Sequence, residues 1–164
     1  MKTLYRTAFI VFLLDQASKW AVVRWLDLRR IGEIDVFPPL LNFRMAWNPG
    51  INFGLLTSNS DAMRWILIAV ALLIAVWVVL WVRAEKLGRL GQISAGLLVG
   101  GALGNVIDRL IYGAVADFIN SSCCGFENPF AFNIADISIF AGAIGLILFS
   151  GGKTGAKKQG NKTP

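Results

Sequence analysis

Trp65-Ile66-Leu67-Ile68-Ala69-Val70-Ala71-Leu72-Leu73-Ile74-Ala75-Val76-Trp77-Val78-Val79-Leu80-Trp81-Val82 runs for eighteen residues without a charged side chain. A helix of that length rises about 27 Å, close to the thickness of a bilayer core. Lipid is its natural surrounding. Three further segments are nearly as apolar: Leu4 to Leu26, with Arg6 near its start and interrupted by Asp15, Lys19 and Arg24; Gln92 to Ile111, with Asn105, Asp108 and Arg109; and Phe132 to Ser150, with Asn133 and Asp136. The composition agrees, with 55% hydrophobic and 16% charged residues in a chain of 164 and a mean hydropathy of +0.60. A water-soluble fold this small could not hide so much apolar surface. The expected architecture is an all-α membrane protein of four transmembrane helices with a small extracytoplasmic β-rich region between the first two.

Orientation follows from basic residues in short connections. Lys2 and Arg6 lie at the N-terminal end of the first span, Arg83, Lys86 and Arg89 join spans two and three, and Lys153, Lys157, Lys158 and Lys162 lie in the tail. In a four-span chain these share one side, so both termini are expected in the cytoplasm. The connection from Tyr112 to Ala131 has no Lys or Arg and is expected outside as a loop, as is the first loop, about residues 27–63. Pro38, Pro39, Asn42, Asn48, Pro49 and Gly50, set among short apolar runs, predict short strands and turns there. Trp25, Trp47 and Trp65 suit the headgroup zone. The apolar run after Lys2 and Arg6 ends at Asp15 with no small-residue cleavage site beyond it, so the first segment is read as a retained helix rather than a signal peptide. Residues 1–150 are expected to form one membrane domain and 151–164 a disordered basic cytoplasmic tail. The net charge of +6 is explained by topology, and no nucleic-acid partner is expected.

Five charges lie where apolar residues are expected: Asp15, Lys19, Asp108, Arg109 and Asp136. Facing lipid, each costs about 2.5 to 3.5 kcal/mol and together roughly 13 to 18, which matches or exceeds the stability of a whole domain. They must face a polar interior, pair, or sit at the interface. Asp15 and Lys19, four apart, share a helix face and can pair. Asn105, Asp108 and Arg109 form one stripe. Gly96, Gly100 and Gly104 make a ladder that admits a neighbouring helix closely, and Ala135, Ser138, Gly142 and Gly145 make a second small face. Asp117 lies just beyond span three and Asp136 about one turn into span four, so both carboxylates are expected near the outer leaflet.

No histidine is present, which excludes Ser-His-Asp and Cys-His catalysis and His-ligated zinc. Ser18 and Lys19, adjacent on a helix, point about 100° apart and make a poor dyad. Two close carboxylates in low dielectric share a proton, which suits water activation in peptide hydrolysis. Intramembrane acids also build proton relays or hold helices together. From the residues alone a peptidase, a small proton-coupled transporter or channel, and an assembly protein stay open.

The motifs decide further. Asp15-Gln16-Ala17-Ser18-Lys19, Asn48-Pro49-Gly50-Ile51-Asn52-Phe53-Gly54, Gly100-Gly101-Ala102-Leu103-Gly104-Asn105-Val106-Ile107-Asp108-Arg109, Val115-Ala116-Asp117-Phe118 and Phe132-Asn133-Ile134-Ala135-Asp136 resemble, in order, the five motifs of the lipoprotein signal peptidase (signal peptidase II) family. Asn52 departs from the small residue usual there.

The resemblance implies an intramembrane aspartic endopeptidase of the bacterial inner membrane, multi-pass and without a cofactor. Its substrate would be a diacylglyceryl-modified prolipoprotein, cut before the lipidated cysteine. It implies that Asp117 and Asp136 are catalytic; that Asp15, Lys19, Asn105, Arg109 and Asn133 support the site; and that Asn48 and Gly50 position substrate. Asp108 is read as the structural partner of a nearby cation. Sensitivity to the depsipeptide globomycin is expected, as are contact with membrane lipid and a monomeric state. Cys123 and Cys124 are read as incidental loop residues.

Overall fold

The computed structural model describes residues 1–38, 40–50, 60–122 and 128–150. Pro39, residues 51–59 with Asn52, Phe53 and Gly54, Cys123 and Cys124, and the tail 151–164 lie outside the described residues, so the readings made on them stop at the sequence.

All four predicted apolar segments form helices. Helix α1 (Lys2–Lys19) continues as a π-helical stretch, Trp20–Trp25, where the Leu26 N–H reaches back five residues to the Ala21 carbonyl at 2.9 Å. The chain then makes one turn of helix, α2 (Leu28–Ile31), and two strands, β1 (Glu33–Phe37) and β2 (Leu41–Asn48). Helices α3 (Ser60–Ala84) and α4 (Arg89–Tyr112) follow, then strand β3 (Val115–Asn120) and helix α5 (Ile134–Phe149). Among the described residues, α3 and α4 are long and apolar enough to cross a membrane, and α5 is apolar but shorter. Large apolar side chains on α1, α3 and α5, including Phe9, Leu73, Trp77, Phe140 and Ile147, point outward and are exposed. Such a continuous apolar surface asks for lipid or a partner.

Helix α4 is the hub, packed against α1, α3 and α5, and its glycines explain how. A Cβ built on Gly100 would stand 2.5 Å from the Ala8 carbonyl oxygen of α1, and one on Gly101 would stand 2.5 Å from the Ala135 carbonyl oxygen of α5. No side chain fits either position, so α1 and α5 lie against α4 backbone to backbone. Gly96 and Gly104 continue the first contact line, and Gly142 and Gly145 of α5 meet Ser94 and Leu98. The bundle core of Leu4, Val78, Val82, Ala95 and Val99 fills the other end of the helices.

The connection from Tyr112 to Ala131, expected as a loop, contains a strand. β3 pairs antiparallel with β2, which pairs antiparallel with β1, so the order is β1-β2-β3. β3 is buried along most of its length. It therefore lacks the alternation by which a half-exposed strand is recognised. Phe118 packs edge-on against Phe43, centroids 5.7 Å apart, in a second core with Val22, Val23 and Leu28. Burying a side chain of this kind contributes about 1.5 to 3 kcal/mol, enough to seat the sheet on the π-helical end of α1. Phe132 then bridges back to Ile119, with N···O distances of 2.8 and 3.0 Å. That bridge sets the start of α5 beside β3.

Candidate active site

The register of the sheet places Asp117 opposite Ala46. Asn48, two residues along β2, is thereby a diagonal neighbour on the same face, and its Nδ2 donates to Asp117 Oδ2 at 3.0 Å. The Gly50 N–H donates to Asn48 Oδ1 at 3.0 Å. Gly50, at φ +128°, thus helps orient Asn48.

Asn133 caps α5. Its side chain accepts from the Asp136 N–H at 2.9 Å, while Asp136 Oδ2 accepts from the Asn133 N–H at 3.2 Å, a reciprocal capping box. The Nδ2 left over donates to Asp117 Oδ1 at 2.7 Å. One fully buried asparagine therefore links both carboxylates. Asn105 Nδ2 donates to Asp136 Oδ1 at 2.8 Å. Asp117 is almost wholly buried and Asp136 half-buried. Burial, helped by the Asp136 charge, pushes the Asp117 carboxyl up to about 6, against the pull of the Asn48 and Asn133 hydrogen bonds.

Behind this pair lies an ionic cluster. Lys19 Nζ meets Asp15 Oδ2 at 2.7 Å and Asp108 Oδ2 at 2.8 Å, all three side chains buried, and donates to Asn105 Oδ1 at 3.3 Å. Asp108 thus has the cation partner expected of it, and also accepts from the Ala116 N–H at 3.2 Å, fixing the start of β3. Asp15 Oδ1 accepts from the Ala135 N–H at 2.9 Å, tying α1 to the first turn of α5. Lys19 holds the Asn105 oxygen, so the Asn105 amide can only turn its nitrogen toward Asp136. Sequence reasoning misses Gln16, whose Nε2 lies within 3.3 Å of Asp15 Oδ2, Asp108 Oδ1 and the Gly104 carbonyl. Its position one residue after Asp15 is the available signal.

Arg109 parts company with Asp108. It is half-buried, its charge acts on both Asp136 and Asp117, and among the described residues its Nε has no hydrogen-bond partner. With Asn105 it heads a mostly apolar groove of about 460 Å³ between α3, α4 and α5, lined further by Leu67, Val70, Ile74, Leu98 and Ile139.

Two acids held by three asparagines lie where a small sheet meets a helical bundle, in a fold shared with a membrane enzyme. The family model for signal peptidase (SPase) II matches residues 7–151, and the chain belongs to that protease family. The lipoprotein signal peptidase of Methylobacterium radiotolerans is 40% identical over 150 residues, covering 92% of this chain and 86% of the relative. That of Neisseria meningitidis serogroup C is 35% identical over 141 residues, covering 86% and 84%. A bacterial membrane enzyme solved by the in meso method at 2.3 Å superposes with a TM-score of 0.78 at 29% identity, covering 99% of this chain and 96% of that one.

Proposed function

We propose that this chain is an intramembrane aspartic endopeptidase that removes signal peptides from diacylglyceryl-modified prolipoproteins by cutting before the lipidated cysteine. The observation that carries the reading is the sharing of Asn133 between Asp117 and Asp136. Asp136 is the less buried of the two and sits in the first turn of α5, where the helix dipole favours negative charge. It is assigned as base. Asp117, raised to about 6, is the acid. Water attacks the scissile carbonyl carbon while Asp136 takes a water proton and Asp117 protonates the carbonyl oxygen, giving a gem-diol. On collapse Asp136 returns its proton to the leaving amine, the C–N bond breaks, and Asp117 recovers a proton from the hydroxyl that becomes the carbonyl.

The four long helices are proposed as four spans, α1 with its π-helical extension, α3, α4 and α5, in one domain of residues 1–150 of the bacterial inner membrane, with both termini cytoplasmic. Helix α5 rises about 24 Å, short of the ~30 Å core, so Asp136 is set below the outer surface. The mostly apolar groove headed by Arg109 is proposed to take apolar side chains of the signal helix, with the guanidinium facing the scissile region. Globomycin sensitivity, a monomeric state and the absence of a cofactor belong to the same proposal. The transporter alternative is not favoured, since the relatives are peptidases.

Asp117→Asn and Asp136→Asn should each stop the gel shift from lipidated precursor to mature lipoprotein, with membrane insertion unchanged. An undiminished shift with either variant refutes the assignment.

A further inference from the structure

A second pocket, of about 390 Å³, opens between the π-helical end of α1 and the C-terminal end of α4. Neither Asp117 nor Asp136 lines it. We infer that it binds the headgroup of a glycerophospholipid from the outer leaflet, with Arg24 and Tyr112 holding the phosphate.

The floor is polar but spent. Lys19 has three acceptors, Asp15, Asp108 and Asn105, and Gln16 is engaged with Asp15 and Asp108. Arg24 is different. It is exposed, and among the described residues no carboxylate lies within ion-pair distance of it. Its guanidinium lies 5.9 Å from the Tyr112 ring centroid and donates to the Tyr112 hydroxyl at 3.2 Å. The hydroxyl, having accepted, still has its own proton to donate. A planar cation with unused N–H groups beside a phenolic O–H is a donor set for phosphate oxygens.

The wall selects a lipid over a free anion. Trp20, Val23, Trp47 and Ile111 line the pocket, Trp20 is well exposed, and Trp47 leans on Tyr112 with centroids 5.4 Å apart. Aromatic rings beside a cation suit the headgroup layer. The π-helical stretch supplies Trp20, Val23 and Arg24 together, and such distortions often mark functional positions. A diacylglycerol would satisfy the wall and leave the cation without an anion. The depth assigned to this pocket rests on the four-span topology proposed above.

The test is native mass spectrometry of the full detergent-solubilised chain, titrated in parallel with phosphatidylglycerol, diacylglycerol and inorganic phosphate. A one-to-one phosphatidylglycerol adduct is expected, reduced at least tenfold in Arg24→Gln, several-fold in Tyr112→Phe, and largely restored in Arg24→Lys. Arg24 is exposed, and an unchanged melting temperature in Arg24→Gln certifies its fold. Equal adduct in Arg24→Gln, or binding of diacylglycerol or inorganic phosphate as tight as that of phosphatidylglycerol, overturns the inference. Topology is read separately, by reaction of Arg24→Cys, in a Cys123→Ser, Cys124→Ser background, with an impermeant maleimide added outside intact cells. Reaction is expected, and its absence would remove the outer-leaflet source.

Discussion

Replacing Asn133 separates two jobs that one side chain performs. Asn133→Ser keeps a cap of equal quality for α5, because serine and asparagine rank alike at that position, so the change at the helix end is about 0.5 kcal/mol or less. The serine has no amide nitrogen to extend to Asp117. The lost bond is 2.7 Å long, buried, and made to a carboxyl that is protonated when it reacts; hydrogen bonds to neutral groups contribute about 0.5 to 1.5 kcal/mol. If that bond fixes Asp117 for reaction, the loss appears in the barrier as a factor of about 2 to somewhat over 10 in kcat/KM. The assay is initial-rate cleavage of a purified lipidated precursor in detergent, with thermal unfolding measured on the same samples. Cleavage within twofold of the native rate by an Asn133→Ser variant that melts normally would refute the positioning of Asp117 by Asn133. Normal cleavage combined with a large drop in melting temperature would show that the Asn133 amide supports the fold rather than the reaction.

Hydrolysis that needs protonated Asp117 should fall about tenfold per pH unit above about 6. Asn48→Ala removes a bond that pulls this pKa down, so the alkaline limb of a pH–rate profile should move to higher pH; a downward move contradicts the assignment. Because the folded chain holds the Asp117 proton up to about 6 against 3.8 unperturbed, this group destabilises the fold as pH rises through that window, by about 3 kcal/mol in full, and melting temperature should follow. Lys19→Met strips the cation from two buried carboxylates and should cost about 3 to 5 kcal/mol, seen as reduced thermal stability and accumulation. Gly100→Ala, which drives a methyl into the Ala8 backbone, should destabilise by about 1 to 3 kcal/mol. Gly88→Ala, with nothing within 4 Å, should melt near the native temperature.

The helices were legible because lipid exposure removes the ambiguity of periodicity: Trp65 to Val82 is apolar on every face and needs no pattern. The pairing of Asp15 with Lys19 was legible because it is local, one turn of one helix. Strand β3 was not, since Val115 to Asn120 is buried on both faces and its partner, β2, lies far back in the chain. The divergence of Asp108 and Arg109 was hidden for a related reason. Adjacent helical positions differ by about 100°, but which of them meets α1 and which meets the groove depends on helix packing set by Gly96, Gly100 and Gly104. The capping box could have been found unaided, because Asn133 followed three residues later by an acid opens an apolar run.

The reciprocal cap at the head of α5 also acts as a ruler. Asp136 is reached from Asn133 by three residues of helix, so one residue more or fewer between them would swing the carboxylate about 100° around the axis, away from Asn105, and leave the cap without its acid. Lengthening the chain there cannot be absorbed by a bend elsewhere, since the Phe132 to Ile119 bridge pins one side and the Ala135 N–H is held by Asp15 on the other. Four consecutive positions, Asn133 to Asp136, are thereby closed to insertion and deletion.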